Sequence, residues 1–141
     1  MAPVPGGEFQ PMVVRDLRAV AVVNGRASRM VEALVAFSER SITATDTRNG
    51  FVVKSLPYGI VTHTTVSRSR KPRSTGGVTF DTPGGTPQGN VFARGPRVWV
   101  TIETADDRLV LVPGPQQLRM LVDLLAQRTK GAIERYMEPE Q

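Results

Sequence analysis

The feature that most constrains the fold is a single amphipathic segment near the carboxyl end, which follows a long series of strand-like segments. Pro115 stands where a first helical residue is expected. Apolar side chains then recur at the spacing of one helix face, at Leu118, Leu121, Val122, Leu124 and Leu125. Lys130 and Gly131 are suited to the end of this helix, as a cation for the dipole and a left-handed cap.

The segments before the helix are rich in β-branched residues and are separated by turn signals. Leu17 to Val23 predicts a strand that ends at Asn24-Gly25, a pair typical of a tight hairpin turn. Ala105-Asp106-Asp107 predicts the turn of a second hairpin. Strands are predicted within residues 30–37, 42–46, 51–56, 59–67, 97–104 and 108–112. The sequence therefore predicts a mainly β protein of the α+β class, in which the helix covers the open end of a curved antiparallel sheet.

The chain of 141 residues has the length of one ordinary domain. Prolines and glycines interrupt its beginning, so residues 1–16 are predicted to be a flexible lead. Residues 17–131 form the predicted domain, which contains a long Gly- and Pro-rich loop at 69–96. Pro139 limits regular structure in the predicted tail, residues 132–141.

The composition argues against an enzyme. The chain has no cysteine, which excludes disulfides, thiolate metal sites and thiol catalysis. His63 is the single histidine, so no multi-histidine metal site can form, and its place among strand threonines indicates a structural role. Asp106 and Asp107 occupy a turn, which their side chains favour for local hydrogen bonds. We therefore expect no catalytic residues, no metal and no cofactor.

The amino terminus, MAPVPGGEFQPM, lacks the basic and apolar regions of a signal peptide. No apolar run approaches the roughly 20 residues of a membrane-spanning helix. Together with the lack of cysteine, these features predict a cytoplasmic protein.

The net charge of +5 comes from 18 Lys and Arg against 13 Asp and Glu. Most arginines of the first third are scattered, as on ordinary solvated faces: Arg15, Arg18, Arg26, Arg29, Arg40 and Arg48. One dense cluster stands out, made of Arg68, Arg70, Lys71 and Arg73. It is interpreted as a solvated loop, as a contact for an anionic ligand, or as a contact for a protein partner.

The strength of this cluster as a ligand site can be estimated. If each cation gains about 1 kcal/mol near an anionic membrane, four give about 4 kcal/mol, which is roughly millimolar affinity. A ligand role therefore implies several copies on one oligomer. On duplex DNA four contacts predict a slope of log affinity against log salt of about −3.6. The run lacks interleaved aromatic side chains for base stacking.

Three stretches resemble the bacterial pleckstrin-homology-like (PH-like) domains: LVAFSERSITATD, KSLPYGIVTHTTVSRSRKP and VWVTIETADDRLVLVPGPQQLRMLVDLLAQR. Ser38-Glu39-Arg40-Ser41 is similar to the family's Thr-Asp-Arg-Arg-like turn. Leu56-Pro57-Tyr58 followed by Val61-Thr62 is similar to its Ile-Pro-Tyr and Ile-Thr-Ser segments. The resemblance covers about residues 17 to 130.

The resemblance implies a roll or barrel of two packed, nearly orthogonal antiparallel sheets capped by a carboxyl-terminal helix. It also implies a binding or assembly module and not an enzyme. Arg26 and Arg29 do not have the spacing of the K/R-x-R motif in eukaryotic phosphoinositide binders, and Trp99 lies on a strand and not in the terminal helix. Inositol lipid binding is therefore not supported.

Two functions are expected from these observations. The first is a noncatalytic PH-like module for protein interaction or self-assembly, as a homo-oligomer or with a protein partner. The alternative is a basic module that binds nucleic acid or an anionic membrane surface through residues 68–73.

Overall fold

The structure is a computed structural model that describes residues 11–80, 97–130 and 132–136. Short 3-10 turns occur at Tyr58–Ile60 and Thr75–Gly77. The strands and the α-helix of the described residues are β1 (Met12–Val23), β2 (Arg26–Ala27), β3 (Val31–Phe37), β4 (Ser41–Asp46), β5 (Val52–Pro57), β6 (His63–Ser69), β7 (Arg97–Glu103), β8 (Asp107–Val112), α1 (Pro115–Arg128) and β9 (Ala132–Tyr136).

All the strands belong to one sheet with the order β5-β4-β3-β1-β8-β7-β6-β9, and β2 pairs with the end of β1. The mainly β fold with one carboxyl-terminal helix is confirmed. The expectation of purely antiparallel pairing is wrong at one edge, because β9 is parallel to β6. β8 already runs in the direction of β6, so α1 returns the chain to start β9 in that same direction, as a crossover connection does.

Strand β1 belongs to both halves of the sheet. Its first part pairs with β3, from Met12 to Ala19, and its last part pairs with β8, from Arg18 to Val23. A bulge between Val14 and Leu17 inserts an extra residue, and Asp16 has a positive φ of 62°. Because of this insertion both Val14 and Leu17 face the core, although strict alternation would place them on opposite faces.

The start of β1 differs from the predicted boundary between the lead and the domain. Residues 1–16 were expected to form a flexible lead, but β1 begins at Met12 and pairs there with Phe37. Strand β1 thus begins five residues before Leu17, and residues 1–10 of the predicted lead lie outside the described residues. The prediction failed because Arg15 and Asp16 hide the alternation of apolar residues on either side of them.

Both predicted hairpin turns are confirmed. Asn24 and Gly25 have φ values of 53° and 79°, the two left-handed conformations that a type I′ turn requires. In the second hairpin the backbone N–H of Thr104 donates to the carbonyl of Asp107 at 2.9 Å. The hydroxyl of Thr104 accepts a hydrogen bond from the N–H of Asp107 at 3.0 Å.

One hydrophobic cluster joins both halves of the sheet to α1. It contains buried side chains of β3, β4 and β5 together with those of β6, β7 and β8. The buried residues of α1 are Leu121, Val122, Leu124 and Leu125, as the helical spacing predicted. Since both halves contribute to the same core, the sheet curves around the helix.

A second, smaller cluster lies on the outer face of the sheet and contains Val20, Val22, Trp99 and Val110. Phe80 and Met30 pack against it. The segment after β6 therefore folds back over this face.

The end of α1 differs from the prediction. The helix ends at Arg128, and Thr129 is already extended, with φ −109° and ψ 158°. The hydroxyl of Thr129 donates to the carbonyl of Leu125 at 2.8 Å, which satisfies one of the last helical acceptors. Lys130 consequently lies beyond the helix, and Gly131 lies outside the described residues.

Two further boundaries are revised. The predicted tail, residues 132–141, begins with strand β9, in which half-buried Ile133 packs against the core. Of the predicted long loop at 69–96, Ser69 ends β6 and residues 70–80 have defined structure, whereas residues 81–96 lie outside the described residues. Among the residues that the structure describes, no helix combines the length and apolarity needed to cross a membrane.

Candidate functional site

The structure divides the predicted cationic cluster. Arg68, Arg70 and Lys71 are exposed, whereas Arg73 is half-buried. The Arg73 guanidinium lies 5.5 Å from the centroid of the Tyr136 ring, and its Nη1 donates to the carbonyl of Gly77 at 3.4 Å. Three cations therefore face solvent, and Arg73 is part of the folded loop.

Two carboxylates anchor the loop to the outer face of the sheet. Oε1 of buried Glu103 accepts hydrogen bonds from the backbone N–H of Thr75 at 3.0 Å and from the Thr75 hydroxyl. Oε1 of Glu134, on β9, accepts from the N–H of Gly76 at 3.1 Å. We call residues 70–80 the anchored loop, because both contacts hold its 3-10 turn.

The two ends of the anchored loop are fixed as well. The indole N–H of buried Trp99 donates to the carbonyl of Ser69 at 2.8 Å. At the other end, the Arg108 guanidinium stands 4.5 Å from the centroid of the Phe80 ring. The same Arg108 pairs with Glu103 at 3.1 Å, so one network connects the turn to the end of the loop.

The contact between Tyr136 and Glu134 changes the pKa of Tyr136. Its hydroxyl donates to Oε1 of Glu134 at 2.9 Å, and this bond, followed by desolvation and the Glu134 charge, raises the pKa of Tyr136 above the usual 10.0. Because the pKa of Tyr136 is higher in the folded than in the unfolded state, the folded protein keeps the phenol proton at pH values where the unfolded chain has lost it. The contribution to stability is present below pH 10.0 and is lost as the pH rises through the folded-state pKa.

This shift can be measured by alkaline titration. In Tyr58→Phe protein Tyr136 is the remaining tyrosine, and its phenolate absorbance is expected to appear above pH 10.0. Adding Glu134→Gln should lower the midpoint towards that value, because the carboxylate acceptor is gone. A midpoint that does not move would contradict the Tyr136–Glu134 contact.

The structure places His63 at the start of β6 and Asp107 at the start of β8. His63 is half-buried and lies opposite Glu103 in the β6–β7 register, but the Glu103 carboxylate is engaged by Thr75 and Arg108. Asp107 pairs with Lys54 at 2.6 Å, which ties β8 to β5 across the two halves of the sheet.

The two edges of the sheet differ in chemistry. Among the described residues β5 pairs with β4 alone, and beside it Phe51 is 72% and Val52 59% exposed. The charged residue of β5, Lys54, is turned towards Asp107 and its side chain is only 20% exposed. We call Phe51, Val52 and the unpaired side of β5 the β5 edge patch.

At the opposite edge, β9 carries Glu134 and Arg135. Charged side chains on an edge strand discourage pairing with another chain. The β5 edge patch is therefore the less protected of the two edges.

Sequence reasoning missed these features to different degrees. Gly50 followed by adjacent Phe51 and Val52 could have indicated an apolar edge, since the pair directly follows a turn. The anchors Glu103 and Glu134 gave no comparable signal, because they lie 28 and 58 residues from their loop partners.

The sequence matches no protein-family model, and a comparison with curated proteins finds no significant match.

Proposed function

We propose that the chain is a noncatalytic PH-like module for protein interaction or self-assembly, located in the cytoplasm. The observation that carries the proposal is the β5 edge patch. The architecture supports it, because two halves of a curved sheet share one core with a carboxyl-terminal helix. Parallel strand β9 is an addition to the arrangement that the PH-like resemblance implies.

The β5 edge patch can accept a strand from another chain. An unpaired edge presents backbone N–H and C=O groups, which a second strand can satisfy while apolar side chains add contact area. Natural edges are protected by outward lysines, and here the ion pair with Asp107 draws Lys54 away from that role.

A lysine at the edge should block this association. In Val52→Lys protein we expect association with itself, or with a captured protein partner, to weaken by at least about tenfold, because the added ammonium would have to be desolvated. Light scattering and sedimentation at several concentrations would measure the oligomer. Val78→Lys is the matched control, since Val78 is also well exposed, at 63%, but lies in the anchored loop.

Two outcomes would refute the proposal. One is a wild-type protein that stays monomeric at every concentration and captures no partner. The other is equal weakening by Val52→Lys and Val78→Lys, which would show a response to charge in general and not to the edge.

An alternative function is favoured by the anchored loop. Its contacts with Glu103 and Glu134 hold Arg70 and Lys71, together with neighbouring Arg68, on a supported part of the surface. Because the loop backbone is already anchored, less entropy is lost when its cations bind an anionic surface. In this alternative the protein binds nucleic acid or anionic lipid through residues 68–73.

The alternative predicts a specific salt dependence. Because Arg73 turns inward, three cations contact duplex DNA and the slope of log affinity against log salt should be about −2.7. Substituting Arg68, Arg70 and Lys71 with Ser should abolish salt-sensitive binding to a DNA duplex or phosphatidylserine vesicles. The matched control replaces Arg15, Arg26 and Arg40 with Ser, which removes the same charge. Unchanged retention of the first variant on both ligands would exclude the alternative.

A further inference from the structure

A groove on the outer face of the sheet gathers arginines that are far apart in the sequence. It consists of two adjoining hollows of about 460 and 370 Å³, which share Arg18 and Glu32 in their walls. Arg97 and Asp16 line the first hollow, and Arg29 and Arg48 line the second. We call this the arginine groove.

The topology explains this convergence. Arg18 on β1 lies between Glu32 on β3 and Val112 on β8 in the strand registers. Beyond β3, the N–H of Thr47 donates to the carbonyl of Glu32 at 3.1 Å, which places Arg48 beside it. Beyond β8, Arg97 begins β7. The residues therefore form a staggered row across the strands, in which Arg97 lies two residues along β7 from the line through Glu32, Arg18 and Val112. Each looks like an isolated surface charge in the sequence.

The charge of the groove is predominantly positive. Among the described residues that line the two hollows, four carry a guanidinium group and two, Asp16 and Glu32, carry a carboxylate. Arg48 lies 3.9 Å from Asp46, but its side chain is 68% exposed, so this pair is weak and leaves the guanidinium accessible. The first turn of α1, which borders the groove at Gly114, adds no acidic side chain.

Arg97 is positioned at the rim of the groove. Its Nη1 lies 3.9 Å from the sulfur of Met30, and its guanidinium is 5.8 Å from the centroid of the Trp99 ring. A guanidinium held against an aromatic ring and a thioether loses less conformational freedom when a carboxylate binds it.

Two observations favour a peptide ligand over nucleic acid. None of the described residues that line the groove is aromatic, so it offers no platform for stacked bases. Glu32 stands in the middle of the row, where it would repel an uninterrupted series of phosphates. A peptide can instead place carboxylates on the arginines and a neutral residue over Glu32.

The spacing of the row fits an extended peptide. Arg97 on β7 and Arg48 in the turn after β4 each lie two strand positions from Arg18, about 10 Å across the sheet, and Arg97 is offset by a further two residues along β7. Three residues of extended chain span roughly the same distance. We infer that the arginine groove binds an acidic segment of a partner protein, extended across the strands, with carboxylates about three residues apart. This inference rests on the proposed interaction role and adds a partner chemistry to it, at a surface separate from the β5 edge patch.

The test uses the full chain and a fluorescein-labelled peptide, (Glu-Gly-Gly)4, with binding followed by anisotropy at two salt concentrations. Wild-type protein is expected to bind, and more weakly at high salt. Arg18→Gln with Arg48→Gln should weaken binding about tenfold, since each lost contact contributes about threefold. Arg26→Gln with Arg40→Gln removes the same charge outside the groove and should leave the affinity within about twofold.

A gain of affinity provides a second readout that does not depend on loss of folding. Glu32→Gln should strengthen peptide binding about threefold, because it removes the carboxylate in the floor of the groove. Glu39→Gln, at an exposed residue outside the groove, should have no effect.

Several results would overturn the inference. They are no peptide binding by wild-type protein, equal weakening by the two double variants, or equal effects of Glu32→Gln and Glu39→Gln. Stronger binding of a thymidine 12-mer that is lost in the Arg18, Arg48 variant would assign the groove to nucleic acid instead. Val52→Lys should bind the peptide normally, so a failure of the β5 edge proposal can be told apart from a failure of this one.

Discussion

Leu125→Ala is expected to lower the free energy of unfolding by about 2 to 5 kcal/mol, the range for a large aliphatic side chain removed from a packed core. Leu125 is fully buried, with 0% of its surface exposed, and belongs to the cluster that joins α1 to both halves of the sheet. The loss should be large because the cavity would open where elements from distant parts of the chain meet.

Urea unfolding monitored by the fluorescence of Trp99 would measure this effect. Met120→Ala is the matched control on the same helix: Met120 is 41% exposed, and its loss should change stability by about 0.5 kcal/mol or less. If both variants were equally stable, α1 would not cover the core as the structure has it.

Glu103→Ala is expected to destabilise the protein by about 2 to 3 kcal/mol and to release the anchored loop. The carboxylate accepts two hydrogen bonds from Thr75 and pairs with Arg108, and hydrogen bonds to charged groups contribute about 1.5 to 3 kcal/mol each. The total is smaller than the sum of these contacts, because the partly exposed partners regain contacts with water when the carboxylate is removed.

Hydrogen exchange can separate the local effect from the global one. The amides of Thr75 and Gly76 should exchange faster in Glu103→Ala, beyond the change that follows from reduced global stability. Glu39→Ala, which removes an exposed carboxylate, serves as the control. Unaltered protection at Thr75 would contradict the anchoring role of Glu103.

The fold could be predicted from the sequence wherever local signals and packing agree. Pro115 and the leucine spacing of α1, and the Asn24-Gly25 turn, are signals of this kind. Met12 to Asp16 could not be assigned, because a bulge shifts the alternation by one residue. Strand β9 was missed for a different reason: five residues with mixed charge form a strand only because the edge of β6 is available to them.

The candidate sites were less accessible to sequence reasoning. The exposed positions of Arg68, Arg70 and Lys71 follow from local polarity, but the inward turn of Arg73 depends on Tyr136, more than 60 residues later. The arginine groove arises from strand order, which brings Arg18, Arg48 and Arg97 into one row. Single-sequence patterns do not contain this order, so these residues could only be interpreted as separate surface charges.

Strand β1 pairs with β3 and also with the much later β8, and this affects how the chain folds during its synthesis. Val23 pairs with Arg26 of β2 on one side and with Asp107 of β8 on the other. During translation the β8-facing edge of β1 therefore stays unpaired until its partner leaves the ribosome roughly 80 residues later, or about 4 to 17 s at typical elongation rates. During that interval Val20 and Val22, which end up buried, form part of an open apolar edge in the nascent chain. Chaperone dependence should accordingly be greatest before β8 emerges and should decline once synthesis has passed it.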